Sequence, residues 1–347
     1  MIEYSFYIIS LLLNFLFFIF FKKIATIYNH YDLPGLIKNH KKKVPLLGGF
    51  FLAANFFVIF FCYLFLFESS GLVFDPIFFG SITKNLEKLL DTRSLKFAFV
   101  FFIIPYFFFF IGYLDDKFNI NHNTKFFIFL SLIISSVLID NNLIIREINF
   151  QFISRTIILN EFSIFFTIFS ILVLINALNM FDGINLQCSL FYIFILSILV
   201  YFNSFTHIAI FFILNLIFFI FYNFKGKAFL GNSGNLFFTF LISILIIKSY
   251  NYKNFPNAEF VLLLLIIPGL DLIRLFMLRI INGKNPFVGD LNHIHHRLLK
   301  KLGVIHSNIL ISAIVVLPVV GYIYFHNFFI SFFVSILMYF FLVIRFK

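Results

Sequence analysis

Apolar residues run along this chain in long unbroken stretches, and the polar ones gather in short segments between them. Residues 4–21, 44–67, 97–114 and 162–181 contain no Asp, Glu, Lys or Arg, and 183–224 and 302–344 are each long enough for two such stretches. A helix needs roughly 20 apolar residues to cross a bilayer core. A helix that is apolar all round, with no polar stripe, is one that is buried or lies in lipid. The pattern predicts an all-α, polytopic membrane protein of about eleven transmembrane helices, near 4–21, 46–67, 97–114, 126–143, 162–178, 188–202, 206–222, 233–248, 259–276, 308–325 and 327–344. The shortest separations between spans fall at 203–205 and around His326.

Composition excludes the soluble alternative. Of the 347 residues 62% are hydrophobic and only 12% charged, with a mean hydropathy of +1.03. A soluble domain carries about a quarter of its residues as charges, so this chain cannot build a water-solvated surface. The first span lacks a basic leader and a small-residue cleavage site, and reads as a retained helix. Cys62 and Cys188 fall in or beside spans, which implies no disulfide framework. The 62 Phe read as filler of lipid-facing positions.

Charge then sets orientation. Segments 22–45, 115–125, 179–187, 223–232, 277–307 and the C-terminal residues hold 17 Lys and Arg, whereas 68–96, 144–161 and 248–258 hold 8. The excess marks the first set as cytoplasmic, with the N-terminus outside and the C-terminus inside. The same set also holds nearly all the polar clusters that carry chemistry. A transporter places its ionisable residues near mid-membrane, so their position at one face points instead to an enzyme with a cytoplasmic-face active site.

Five clusters stand out. Asp115-Asp116 ends the third span; adjacent carboxylates suit a divalent cation or a base near a phosphate, and the same pair also fits a solvated helix end. Asn176, Asn179 and Asp182 are three apart, on one helix face, with Gly183 to turn the chain and Asn185 beyond; a capping and packing role is the alternative. Gly231-Asn232-Ser233-Gly234-Asn235 opens the eighth span, where backbone N–H groups can hold phosphate or where Asn232 or Ser233 simply caps the helix. Asp271, Arg274 and Arg279 precede Gly283, Pro286, Phe287, Asp290, His293, His295 and His296. Asp271 and Arg274 are one turn apart and able to pair, and the His and Arg suit a nucleotide diphosphate. Zinc would use the three His, but no Cys or second His cluster accompanies them. Finally, 32–49 is a basic loop with Lys38, His40, Lys41 and Gly48-Gly49, which attracts anionic headgroups or serves only as a topology signal.

Together and in order, these motifs resemble the polyprenyl-phosphate N-acetylhexosamine-1-phosphate transferases, the WecA/TagO-like branch of the MraY superfamily (glycosyltransferase family 4). The likeness runs over 32–298. It rests on Asp32, Pro34, Lys38, His40, Pro45, Gly48 and Gly49; on Asp115, Asp116 and the later Lys125; and on Asn176, Asn179, Asp182 and Gly183. It ends on the most specific stretch, from Asp271 and Arg274 to His293, His295, His296, Arg297 and Leu298. The chain departs at Asn119 and Asn232, where the family commonly has Asp, and at Asn185-Leu186-Gln187. The resemblance implies a single integral membrane transferase domain over 1–347, in the bacterial inner membrane. It would move N-acetylhexosamine-1-phosphate from a UDP-sugar to undecaprenyl phosphate with release of UMP, using Mg²⁺ or alternatively Mn²⁺. That is the first membrane step of a cell-surface polysaccharide such as cell wall or lipopolysaccharide. Implied catalytic residues are Asp115, Asp116 and Asp182, with Asn179 and Asn232 at the metal. Asn176, Asn185, Asp271, Arg274, Arg279, His293, His295 and His296 would hold the nucleotide sugar, and Lys38, Lys41 and Lys125 the lipid phosphate. Membrane lipids are expected partners, a homodimer is open, and no nucleic acid is expected. The rival readings are a non-catalytic or altered-specificity lipid-binding relative and a transporter or flippase.

Overall fold

A computed structural model describes residues 5–34, 42–70, 93–283 and 292–346. Among them the chain is helical nearly throughout. The helices are α1 (Ser5–Tyr28), α2 (Gly48–Ser70), α3 (Arg93–Ala98, Phe99–Ile103 and Ile104–Phe118 in succession), α4 (His122–Ile139) and α5 (Phe162–Phe181). There follow α6 (Gln187–Tyr201), α7 (Thr206–Phe224), α8 (Gly231–Asn251), α9 (Ala258–Ile281), α10 (Ile294–Phe325) and α11 (Phe328–Arg345). Among the described residues, nine helices are long and apolar enough to cross a membrane, and Gly48–Phe61 and Gln187–Tyr201 are shorter apolar helices. The chain is a multi-pass membrane protein.

Local chemistry accounts for the irregular points. Pro105 has no N–H to offer the helix ladder, and the segment before it, Phe99–Ile103, is wound as a π-helix whose register shift passes from Ile104 N–H to the Phe99 carbonyl. The turn between α6 and α7 uses left-handed Asn203 and Phe205 (φ 50° and 51°), and His326 (φ 51°) does the same between α10 and α11. Within α10, Gly303 (φ 74°, ψ 176°) is not helical. The His-rich stretch therefore stands on a short helix of its own, before the membrane span. Two small antiparallel pairings were not expected from the sequence: β1 (Tyr31–Asp32) with β2 (Val44–Pro45), and β3 (Glu147–Phe150) with β4 (Arg155–Ile158). In the second, β3 alternates exposed and half-buried residues, as a strand lying on a surface does, while β4 is exposed throughout.

The helices fall into two compact units. The first comprises 1–120 and 195–241. Its core is aromatic: Phe56 on α2 packs against Phe101 and Phe102 of α3, Phe212 of α7 and Phe237 of α8, with ring centroids 5.3–5.6 Å apart. A neutral polar cluster ties α1, α2 and α7. Ser10 donates to Asn55 (2.9 Å) and Asn215 (3.2 Å), and Asn55 donates to Asn14 (3.0 Å). Away from water such bonds hold helices together without a charge.

The second unit comprises 121–194 and 242–347. There Lys248 on α8 reaches Asp140 at the end of α4 at 2.6 Å, both side chains almost fully buried. Removing either partner alone would strand the other charge. The β3–β4 hairpin is held to this unit by the Phe152 N–H, which donates to Glu259 (3.0 Å), and by the Asn149 N–H, which donates to the Tyr250 hydroxyl (2.8 Å).

Candidate active site

In the first unit the acidic pair closes against the opening turn of α8. Gly112 makes the approach possible: a Cβ there would stand 2.5 Å from the Asn232 carbonyl and the Ser233 nitrogen. Asp116 then accepts from the Asn232 N–H (3.1 Å) and the Ser233 N–H (3.2 Å). The N–H groups that the sequence offered either to a phosphate or to a local cap are thus taken by a carboxylate from α3, which also suits the positive end of the helix dipole. Asp115, 5% exposed, accepts from the Ile120 N–H (3.0 Å) and from the Asn232 side-chain amide (2.9 Å). Asn119 ends α3 in the left-handed conformation (φ 50°), a place Asn tolerates.

Beside the pair sits His30, which sequence reasoning missed. It is buried, with Nε2 4.0 Å from an Asp116 oxygen. Burial first, and then the Lys117 ammonium, hold its pKa below the usual histidine value. Lys38, His40 and Lys41 lie outside the described residues, as do Pro286, Phe287 and Asp290.

In the second unit two groups meet at the His-rich helix. Asp182 follows the last residue of α5, and desolvation pushes its carboxyl up to about 7 although the Cys188 thiol hydrogen-bonds to it. Asn176 donates to the Leu172 carbonyl of its own helix (2.8 Å), and Asn179 lies half-buried one turn on. Gly183 lies so close to His295 that a Cβ would fall 1.7 Å from its Nε2. Gln187 contacts the other ring nitrogen at 3.4 Å, and the Asn185 carbonyl accepts from Asn308 (2.9 Å). Leu186 between them has φ 76°, a conformation that favours glycine.

The other group is a hub on Asp271. Its carboxylate accepts from Arg274 (2.7 Å), the Tyr339 hydroxyl (2.8 Å) and the Ile294 N–H (3.4 Å), and pairs with His293 Nδ1 (2.7 Å). Arg274 also donates to the Asn292 carbonyl (2.9 Å) and to Tyr339 (2.7 Å). Asp271 and Arg274 pair as their spacing allows, but Arg274 divides its donors among Asp271, the Asn292 carbonyl and Tyr339, while His293 turns Nδ1 to Asp271. His295 is fully buried, His296 half-buried against it (ring centroids 4.3 Å), and Arg279 is 4% exposed. Lys125 is half-buried on α4.

Which residues suit a metal follows from their donors. Asp271, His293 and His295 have ligand atoms within 4.8 Å of one another, yet the carboxylate already serves four donors, one a guanidinium. Mg²⁺ prefers oxygen ligands. Asp115 facing the Asn232 amide supplies two once the amide turns its oxygen inward, and Asp182, with its raised pKa, is a carboxyl that a nearby cation would ionise. A pH test follows for Asp182. Its carboxyl holds a proton more tightly folded than unfolded, so its contribution to stability is complete below the ordinary value of 3.8 and is lost as pH rises through about 7. Melting of chelator-treated protein should fall across that window, and Asp182→Asn should flatten the fall. An equal slope in the variant would assign it to other groups.

Residues 98–250 match the model of the family described as glycosyl transferase family 4. The chain is 26% identical over 299 residues to "Undecaprenyl-phosphate alpha-N-acetylglucosaminyl 1-phosphate transferase" of Escherichia coli O157:H7, covering 82% of this chain and 73% of the relative. It is 26% identical over 314 residues to "Probable undecaprenyl-phosphate N-acetylglucosaminyl 1-phosphate transferase" of Bacillus subtilis strain 168, covering 87% and 77%. A Yersinia pestis relative with the E. coli name is 25% identical over 293 residues. The acidic pair, the Asn176–Asp182 face and the α8 opening all lie inside the matched segment, and over most of its length the chain is similar to proteins named as undecaprenyl-phosphate N-acetylglucosaminyl 1-phosphate transferases.

Proposed function

We propose that this protein transfers N-acetylhexosamine-1-phosphate from a UDP-sugar to undecaprenyl phosphate and releases UMP, at the cytoplasmic face of a bacterial inner membrane. The observation that carries the reading is the acidic pair fixed on the first turn of α8, within the family-matched segment. An oxygen of the lipid phosphate attacks the β-phosphorus, the bond from that phosphorus to the bridging oxygen breaks, and UMP leaves. Asp116, oriented by two backbone N–H groups, is the base that takes the acceptor's proton. In the first unit Asp115 and Asn232 would supply oxygen donors for Mg²⁺, and in the second unit Asn179 and Asp182 offer oxygen donors of the same kind. When bound, the ion would offset repulsion between the two anionic reactants. Asp271 orients His293 and Arg274, which with Asn176, Asn185, Arg279, His295 and His296 serve the nucleotide sugar. Lys38, Lys41 and Lys125 serve the lipid phosphate. The test is UMP release by purified protein given undecaprenyl phosphate and a panel of UDP-sugars. Lipid binding without release under any sugar would favour the non-catalytic relative suggested by Asn119 and Asn232.

Two expectations attach to this reading. In Asn232→Asp, two carboxylates would face each other where an amide now donates to Asp115, and a cation would reconcile them. The Mg²⁺ concentration for half-maximal UMP release should therefore fall; an unchanged magnesium dependence would take Asn232 out of the metal set. For orientation, single cysteines near Lys42, Asn185 and His295 should be shielded from an impermeant thiol reagent in intact cells, while one near Lys88 should react. Labelling of the first three from outside would reverse the topology.

A further inference from the structure

His30 stands two residues beyond α1 and is 6% exposed. Its carbonyl accepts from the Leu46 N–H (3.0 Å), which anchors its backbone. Its ring lies against Tyr113 of α3 with centroids 4.6 Å apart and meets Tyr28 edge-on at 5.7 Å. Nε2 is 4.0 Å from Asp116 Oδ2, too far for a hydrogen bond, and has no partner among the described residues. The Tyr28 hydroxyl, which feels the charge of Asp116, is a second buried polar atom without one. A buried polar group left unpaired is costly. Two of them beside one carboxylate mark a place made for a polar atom from elsewhere.

The chemistry of that atom is constrained. It must accept from the imidazole N–H and donate to Asp116, and an oxygen standing off the line between Nε2 and Oδ2 reaches both. A carboxylate or a fully ionised phosphate only accepts, whereas a protonated phosphate oxygen accepts and donates. We propose that His30 and Asp116 together seat one protonated oxygen of the acceptor's phosphate monoester, with the Tyr28 hydroxyl as an additional donor to that phosphate. The assignment rests on the transfer reaction above and adds a binding residue to it. His30 holds the oxygen whose proton Asp116 receives.

The experiment measures binding of farnesyl phosphate to the purified full chain by ³¹P NMR, and steady-state kinetics with undecaprenyl phosphate. His30→Phe keeps a ring but loses the N–H. It should weaken farnesyl phosphate at least about ten-fold, raise KM for undecaprenyl phosphate in step, and leave KM for the UDP-sugar unchanged. His30→Gln, which retains a neutral N–H donor, should recover most of the affinity, and Tyr28→Phe should show a smaller loss. Inorganic phosphate should compete only at far higher concentration; equal competition would make this a free-phosphate site and overturn the acceptor assignment. Unchanged affinity in His30→Phe would overturn it, as would equal losses in the Phe and Gln variants together with a changed UDP-sugar KM. Wild-type protein that releases no UMP, while His30→Phe still loses farnesyl phosphate, would defeat the transfer reading and leave the seat standing.

Discussion

Asp116→Asn and Asp115→Asn should each lower turnover by at least about two orders of magnitude, or roughly 2.7 kcal/mol of transition-state stabilisation. The two losses have different origins. Asn in place of Asp116 keeps one acceptor oxygen for the N–H groups of Asn232 and Ser233, and its amide hydrogens meet a donor where an acceptor stood. It also cannot take a proton from the acceptor. Asn in place of Asp115 faces the Asn232 amide across 2.9 Å, leaving no formal charge for a cation between them. UMP release assayed across a magnesium series separates the two: added Mg²⁺ should recover part of the Asp115 variant's rate and none of the Asp116 variant's. Wild-type turnover in both would return the pair to a helix end with no chemistry.

Gly183→Ala should be as damaging by a different route. The new methyl would lie 1.7 Å from His295 Nε2, and that ring is fully buried, so the imidazole or the backbone must move. Forcing such a contact costs about 3 kcal/mol, and displacing His295 disturbs its contact with Gln187. The expected result is a lower melting temperature and loss of UMP release. Combining it with His295→Ala should restore much of the melting temperature but not the activity, since the two sites share one steric conflict. A Gly183→Ala protein that melts and turns over normally would show that this approach is not tight.

Some of this was readable from the chain and some was not. Spans could be placed because an uncharged run of about 20 residues has few other uses, and the polar Asn203, Ser204 and His326 mark turns the structure contains. The β3–β4 hairpin was passed over as an outer loop, although Glu147-Ile148-Asn149-Phe150 already alternates. Asp271 and Arg274 could be paired from helical spacing, but Tyr339, 68 residues on, has no local signature. Asp116 as the cap of α8 was out of reach for the same reason, because its partners lie over a hundred residues away. His30 was missed because a lone histidine between tyrosines matches no spacing. Its meaning lies in an unpaired nitrogen, which only coordinates reveal.

The Asp271 hub bears on how the protein is made. Its carboxylate and the Arg274 guanidinium are synthesised with α9, His293 comes with the next helix, and Tyr339 arrives only with α11. A ribosome delivering the chain in order leaves that arrangement incomplete until the last described helix enters the bilayer. Nascent chains stalled before α11 would carry a buried-type polar group on α9 short of one partner, a feature that membrane quality control can recognise. Assembly of the Asp271 hub thus becomes a late event in biogenesis, and fragments ending before α11 should be cleared instead of accumulating.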